Sequence, residues 1–165
     1  MTTLADATPS WRFVLTHPAH FLAFGFGAGL ARRAPGTFGT LVAFPIFWLL
    51  NPRLVPMAFL ALIAVLFALG IWVCGKTSED LGVEDHSGIV WDEITAFLLV
   101  LSFTPASLLW QAFAFVLFRA FDILKPPPID YFDKTVKGGM GVMLDDLIAA
   151  FYTLLCFAFW RILIE

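Results

Sequence analysis

The stretch LVPMAFLALIAVLFALGIWVC, running from Leu54 to Cys74, carries no charged residue. About 20 apolar residues in a helix reach across a hydrocarbon core of about 30 Å, so this segment reads as a membrane-crossing helix. Further apolar stretches flank it on both sides. Phe38–Leu50 precedes it across Asn51–Pro52–Arg53, which reads as a turn. Ile89–Phe103 and Ala106–Phe118 follow, hinged at Thr104–Pro105, because proline restricts the residue before it and ends helices. Leu147–Ile164 closes the chain, interrupted only by Arg161. The composition agrees, with 60% apolar and 14% charged residues against about 25% charged in soluble domains. Strand-like alternation with hairpin signals is missing, which argues against a barrel. The expected fold is all-α: a polytopic membrane helical bundle of about four to five apolar helices in a single domain over residues 1–165.

Residues 1–10 are polar, lack a basic leader and read as a disordered tail rather than a signal peptide. Trp11 to Phe26 is aromatic-rich and broken by Pro18, so it is expected either along the membrane interface or packed on the bundle. Cys74 and Cys156 sit in apolar runs without metal-type spacing and read as buried, reduced packing residues. A formal net charge of −3 argues against nucleic-acid binding, which calls for a basic surface.

If the spans alternate, the connections Ala31–Thr37, Gly75–Ser87 and Arg119–Gly141 share one face. That face holds Arg32, Arg33, Lys76, Arg119, Lys125, Lys134 and Lys137, and the positive-inside rule makes it cytoplasmic. Arg53 and the Thr104–Pro105 turn lie on the other. The acid-rich runs come to the same face: Asp92–Glu93, Asp122 and Asp145–Asp146 each stand where an apolar helix starts or stops. Acids at a helix start are favoured by the macrodipole, which is the purely structural explanation. Ionisable groups this close to lipid are costly, however, and usually mark a site. Carboxylates that repel one another need a cation between them, and hard oxygen ligands point to Mg²⁺.

Basic and glycine-rich segments accompany the acids. Arg119 and Asp122 are three residues apart and share a helical face, fit either for an ion pair or for presenting one acid to metal and one guanidinium to phosphate. Lys125 precedes Pro126–Pro127–Pro128, which is expected to form a stiff, extended exit. The turn through Gly36 and Thr37, with Thr40 beyond it, can cradle an anion at a helix start or simply allow close packing. Gly138–Gly139–Met140–Gly141 reads as a flexible loop that lets Lys137 close over a substrate. His86 reads as a solvated loop residue or structural donor.

These runs, in this order, resemble the phosphatidylglycerophosphatase A family of bacterial membrane lipid phosphatases. The matching segments are Gly25–Leu41, GVEDHSGIVWDE at Gly82–Glu93, FRAFDILKPPPIDYFD at Phe118–Asp133, and KGGMGVMLDDLIA at Lys137–Ala149. Ala150 stands where a glycine is common in the family. Arg32–Arg33 stand where smaller or proline-containing variants occur. The resemblance implies a multi-pass enzyme of the bacterial inner membrane, its site facing the cytoplasm, that hydrolyses phosphatidylglycerophosphate to phosphatidylglycerol with Mg²⁺. Residue chemistry then assigns the roles. Asp92, Glu93, Asp122, Asp145 and Asp146 hold the metal and form the catalytic group. Gly36, Thr37, Thr40, Arg119, Lys125 and Lys137 bind the phosphate, and either a water or an aspartate is the nucleophile. Two other uses of the same acids are a divalent-cation carrier and a lipid phosphotransferase. A carrier should place acids near mid-span, and the aspartate–glycine, alanine–arginine pattern of a phosphotransferase is missing from this chain.

Overall fold

The computed structural model describes residues 9–164, so the expected tail lies almost wholly outside the described residues. The chain forms α1 (Trp11–Val14), α2 (Pro18–Ala23), a 3-10 segment (Gly25–Leu30), α3 (Pro35–Leu50), a 3-10 turn (Asn51–Arg53) and α4 (Pro56–Leu81). It continues through α5 (Trp91–Phe103), α6 (Leu108–Leu124), α7 (Ile129–Thr135) and α8 (Gly138–Ile164). Among the described residues there is no strand, so the all-α expectation holds. Prolines open α2, α3 and α4, where the missing N–H costs no intrahelical bond.

Helix α5 is the axis of the bundle. It is apolar all round, and nine-tenths or more of each residue from Trp91 to Leu98 is shielded. An all-round apolar helix must be covered on every side, and α3, α4 and α8 pack against it. Its start is pinned twice. The Val90 N–H donates to the Ala23 carbonyl at 2.8 Å, and Trp91 Nε1 donates to the Leu66 carbonyl of α4 at 3.1 Å.

Helices α4 and α8 are long and apolar enough to cross a membrane. Only 28% and 39% of their most apolar windows are covered by protein, which separates them from the core helices of a soluble fold. Val65 and Trp72 on α4, and Leu155, Phe159 and Trp160 on α8, are more than half exposed. An apolar surface this continuous calls for lipid. Helices α3, α5 and α6, at 16, 13 and 17 residues, fall short of the bilayer core by length alone; α5 docks on α4 and α8, α6 on α8, and α3 on α5.

Three helices extend well beyond the apolar runs expected from the sequence. Helix α8 begins at Gly138 rather than Leu147, α6 runs to Leu124 rather than Phe118, and α4 runs to Leu81 rather than Cys74. The helices continue past the apolar runs because their polar turns pack on one another. A Cβ on Gly139 would stand 1.8 Å from the Ile71 carbonyl oxygen of α4, so Gly139, read as part of a loop, is the contact that lets α8 lie against α4. The proline run is a turn rather than an extended exit. The Ile129 N–H donates to the Pro126 carbonyl at 2.9 Å, and Tyr152 Oη of α8 donates to the Pro127 carbonyl at 2.7 Å. Cys74 is buried as expected, whereas Cys156 is exposed on the outer face of α8.

The N-terminal aromatic segment packs on the bundle. Val14, Ala19, Ala23 and Phe24 are fully buried, and His20 Nε2 lies 2.8 Å from Asp80 Oδ2 of α4.

Candidate active site

The polar ends of α3, α5, α6 and α8 meet at one end of the bundle. Asp92 and Glu93 occupy the first turn of α5, favourable for acids. Asp145 and Asp146 instead stand seven and eight residues into α8, too deep for the macrodipole to explain them. Packing put them there. Carboxylate oxygens of Asp92, Glu93 and Asp146 lie within 4.8 Å of one another. Asp92 Oδ1, Glu93 Oε2 and Asp146 Oδ2 are each buried without a hydrogen-bond partner.

Buried polar atoms are almost always satisfied, so an orphaned oxygen on each of three clustered carboxylates needs an explanation. The donor set is all oxygen, hard and anionic, which suits Mg²⁺ or a similar divalent cation. Ligands of one Mg²⁺ stand at most about 4.2 Å apart, twice a bond of about 2.1 Å. The observed spacing needs only small side-chain adjustments to meet that. The residues present therefore fit the ion.

Arg119, on the last turns of α6, borders the triad. Its Nη1 lies 2.5 Å from Asp122 Oδ2 and 3.5 Å from Glu93 Oε1, and it donates to Thr40 Oγ1 at 3.4 Å. Its Nε is buried with no acceptor. Thr40 Oγ1 in turn donates to the Gly36 carbonyl at 2.8 Å. Gly36 has no room for a side chain, since a Cβ there would sit 2.1 Å from Glu93 Oε1 and 2.9 Å from Arg119 Nη2. The start of α3 thus lies directly on the carboxylate–guanidinium pair. Gly36 is required for close approach, and Thr40 holds Arg119 in place.

The remaining expected residues divide. Lys125 takes a left-handed backbone (φ 41) at the end of α6, and its Nζ lies 2.7 Å from Asp145 Oδ2. Asp145 is thereby tied to a cation beside the triad, and its Oδ1 accepts the Asp146 N–H at 3.0 Å. Thr37 is half-buried in the first turn of α3, one residue beyond Gly36. Lys137 does not reach the cluster. It is exposed and paired with Glu84 Oε2 at 3.0 Å, bridging the head of α8 to the loop after α4.

His86 has a structural part. Its Nδ1 accepts the Gly88 N–H at 2.9 Å, shaping the loop that leads into α5. Partial burial lowers the imidazole below its ordinary range, with the Asp85 charge opposing that shift. Sequence reasoning missed Tyr152, whose hydroxyl holds the proline turn behind Lys125. The two residues are 25 apart, and no local pattern signals the contact.

Comparison with known proteins fits this geometry. The family model described as phosphatidylglycerophosphatase A matches residues 21–161. The chain belongs to the phosphatidylglycerophosphatase A family. A Haemophilus influenzae phosphatidylglycerophosphatase A is 45% identical over 154 residues, covering 92% of this chain and 94% of that protein. Its Escherichia coli counterpart of the same name is 41% identical over 140 residues, 84% of this chain and 80% of that one. A Bacteroides thetaiotaomicron protein provisionally named phosphatidylinositol-3-phosphatase is 39% identical over 145 residues, 83% of this chain and 89% of that one. No solved structure matches the chain.

Proposed function

We propose that this chain hydrolyses the terminal phosphate monoester of phosphatidylglycerophosphate, releasing phosphatidylglycerol and inorganic phosphate, with Mg²⁺, at the cytoplasmic face of a bacterial inner membrane. The observation that supports it most is the triad Asp92, Glu93 and Asp146, with its three orphaned oxygens, beside Arg119 and its buried, unpartnered Nε. Membership of the family supplies the substrate.

The reaction breaks the bond between phosphorus and the glycerol oxygen. The oxygen of a water joins phosphorus, and a proton ends on the glycerol oxygen. Catalysis of such transfers is mostly positioning and electrostatics. Asp92, Glu93 and Asp146 hold the Mg²⁺, with Asp122 and Asp145 supporting them through Arg119 and Lys125. Bound there, the ion supplies charge to neutralise the phosphate and to lower the barrier to attack. Arg119 offers its Nε–H, a donor already desolvated and without an acceptor, to a phosphoryl oxygen. Lys125 adds a second positive charge, and the α3 start offers the Gly36 amide at the positive end of the helix dipole.

A carrier reading is weaker. By helical rise Asp146 is about 12 Å from the start of α8 and about 27 Å from its end. The acids therefore lie toward one face rather than at mid-span. The deciding experiment is phosphate release from phosphatidylglycerophosphate by purified protein in detergent, with Mg²⁺ and with a chelator. Release that depends on Mg²⁺ is expected. Absence of release by folded protein on well-dispersed lipid, with cation uptake into vesicles instead, overturns the phosphatase in favour of a carrier.

A further inference from the structure

An apolar groove of about 890 Å³ opens on the lipid-facing side of the bundle, lined by Leu60, Leu99, Phe103, Trp110 and a run of α8 residues from Phe151 to Arg161. Its size suits a ligand, yet none of the carboxylates touches it. Helical periodicity relates it to them. Leu99 and Phe103 follow Asp92 at seven and eleven residues along α5, so all three share a face. Leu154, Phe157 and Arg161 follow Asp146 at eight, eleven and fifteen residues along α8, again on one stripe. The groove is therefore the downward continuation of the faces that carry the triad. By rise it begins about 8 Å below the acids at Phe151 and ends about 22 Å below them at Arg161. Those depths fall within a hydrocarbon core of about 30 Å.

We infer that this groove holds one acyl chain of the lipid whose phosphate lies at the triad. The inference rests on the proposed lipid phosphatase reading and adds the recognition of the chain to that of the headgroup. A monoester at the acids places its glycerol at the top of these helices, and the tails then run down the bundle at the depth of the groove. Phe103, Phe151 and Leu155 on its lips are more than half exposed, so a chain enters sideways from the bilayer without crossing the packed core. Held in this way, the chain fixes the headgroup against sliding, and binding energy distant from the reacting bond is used for orientation.

The test compares dioleoyl and dihexanoyl phosphatidylglycerophosphate as substrates for the wild-type protein and for Leu154→Trp, whose indole intrudes into the groove. The ratio of kcat/KM between long- and short-chain lipids is expected to fall about tenfold, the effect of excluding roughly two methylenes from an apolar site. An unchanged ratio overturns the groove. Phosphate release by the wild type from either lipid keeps this outcome separate from failure of the phosphatase reading. A second measurement does not depend on the variant folding: wild-type protein is labelled with a substrate carrying a photoreactive diazirine at the end of one acyl chain. Label on peptides containing Leu99 and Leu154 supports the groove. Label confined to other helices, or crosslinking only between two copies of the chain, overturns it.

Discussion

Replacing Asp146 by Asn should stabilise this protein in the absence of a divalent cation while removing its activity. The sign is what makes the experiment informative. Asp146 shares a buried spot with Asp92 and Glu93, their oxygens within 4.8 Å. Two unit charges at that separation repel by about 3.5 kcal/mol at an effective dielectric near 20. Asp146 faces two such partners, and Arg119, 3.5 Å from Glu93, offsets part of the repulsion. A net relief of about 2–4 kcal/mol is the working figure for the neutral amide. In a chain of this size that raises the melting temperature by about 5–10 °C. With Mg²⁺ the order reverses. The wild type gains stability by binding the ion to its folded state, whereas the variant has lost a ligand and gains little. Thermal melting in detergent, with chelator and with Mg²⁺ in excess, reads all four states. A variant less stable than wild type in chelator, or one stabilised by Mg²⁺ as much as wild type, refutes the shared cation site.

Arg119→Lys keeps the charge and loses the planar fork and the Nε donor, so kcat should drop by about 10²-fold or more; activity within threefold of wild type removes Arg119 from phosphate contact. Gly36→Ala forces a methyl to 2.1 Å from Glu93 Oε1, and pushing the carboxylate aside should cost about 1–3 kcal/mol of stability together with most of the activity, both readable on one preparation. Because burial holds the His86 imidazole below its ordinary range, the folded state binds fewer protons there than the unfolded chain. Its contribution to stability is present above the ordinary histidine value of about 6.5 and is lost as pH falls below it. Melting temperatures at pH 7.5 and 5.5 should therefore diverge, and His86→Gln should narrow the difference.

Much of this architecture was legible from the chain alone. A charge-free run from Leu54 to Cys74 has no way to satisfy its side chains except in lipid or a core, and its length chose the helix. The gathering of Asp92, Glu93, Asp122, Asp145 and Asp146 toward one end followed from alternation of the apolar runs. Local rules misjudged the helix limits at that end. Gly138–Gly139 and the Asp145–Asp146 pair carry loop and helix-start signals in isolation, because propensity describes a helix surrounded by water. Laid against α4, Gly139 is the surface that permits contact, and α8 runs through it for about two turns before Leu147.

The sequence by itself determined the helical class, the stretches long and apolar enough to cross a membrane, and the set of residues available for chemistry. These depend on hydropathy and on the spacing of residues along a single helix. Only the tertiary structure decided which carboxylates meet, that Gly36 lies against Glu93 and Arg119, that Lys125 goes to Asp145, and that Lys137 goes to Glu84 instead of the triad. Those pairings join residues far apart in the chain. The relative rotation and depth of packed helices set them, and no local pattern encodes either quantity.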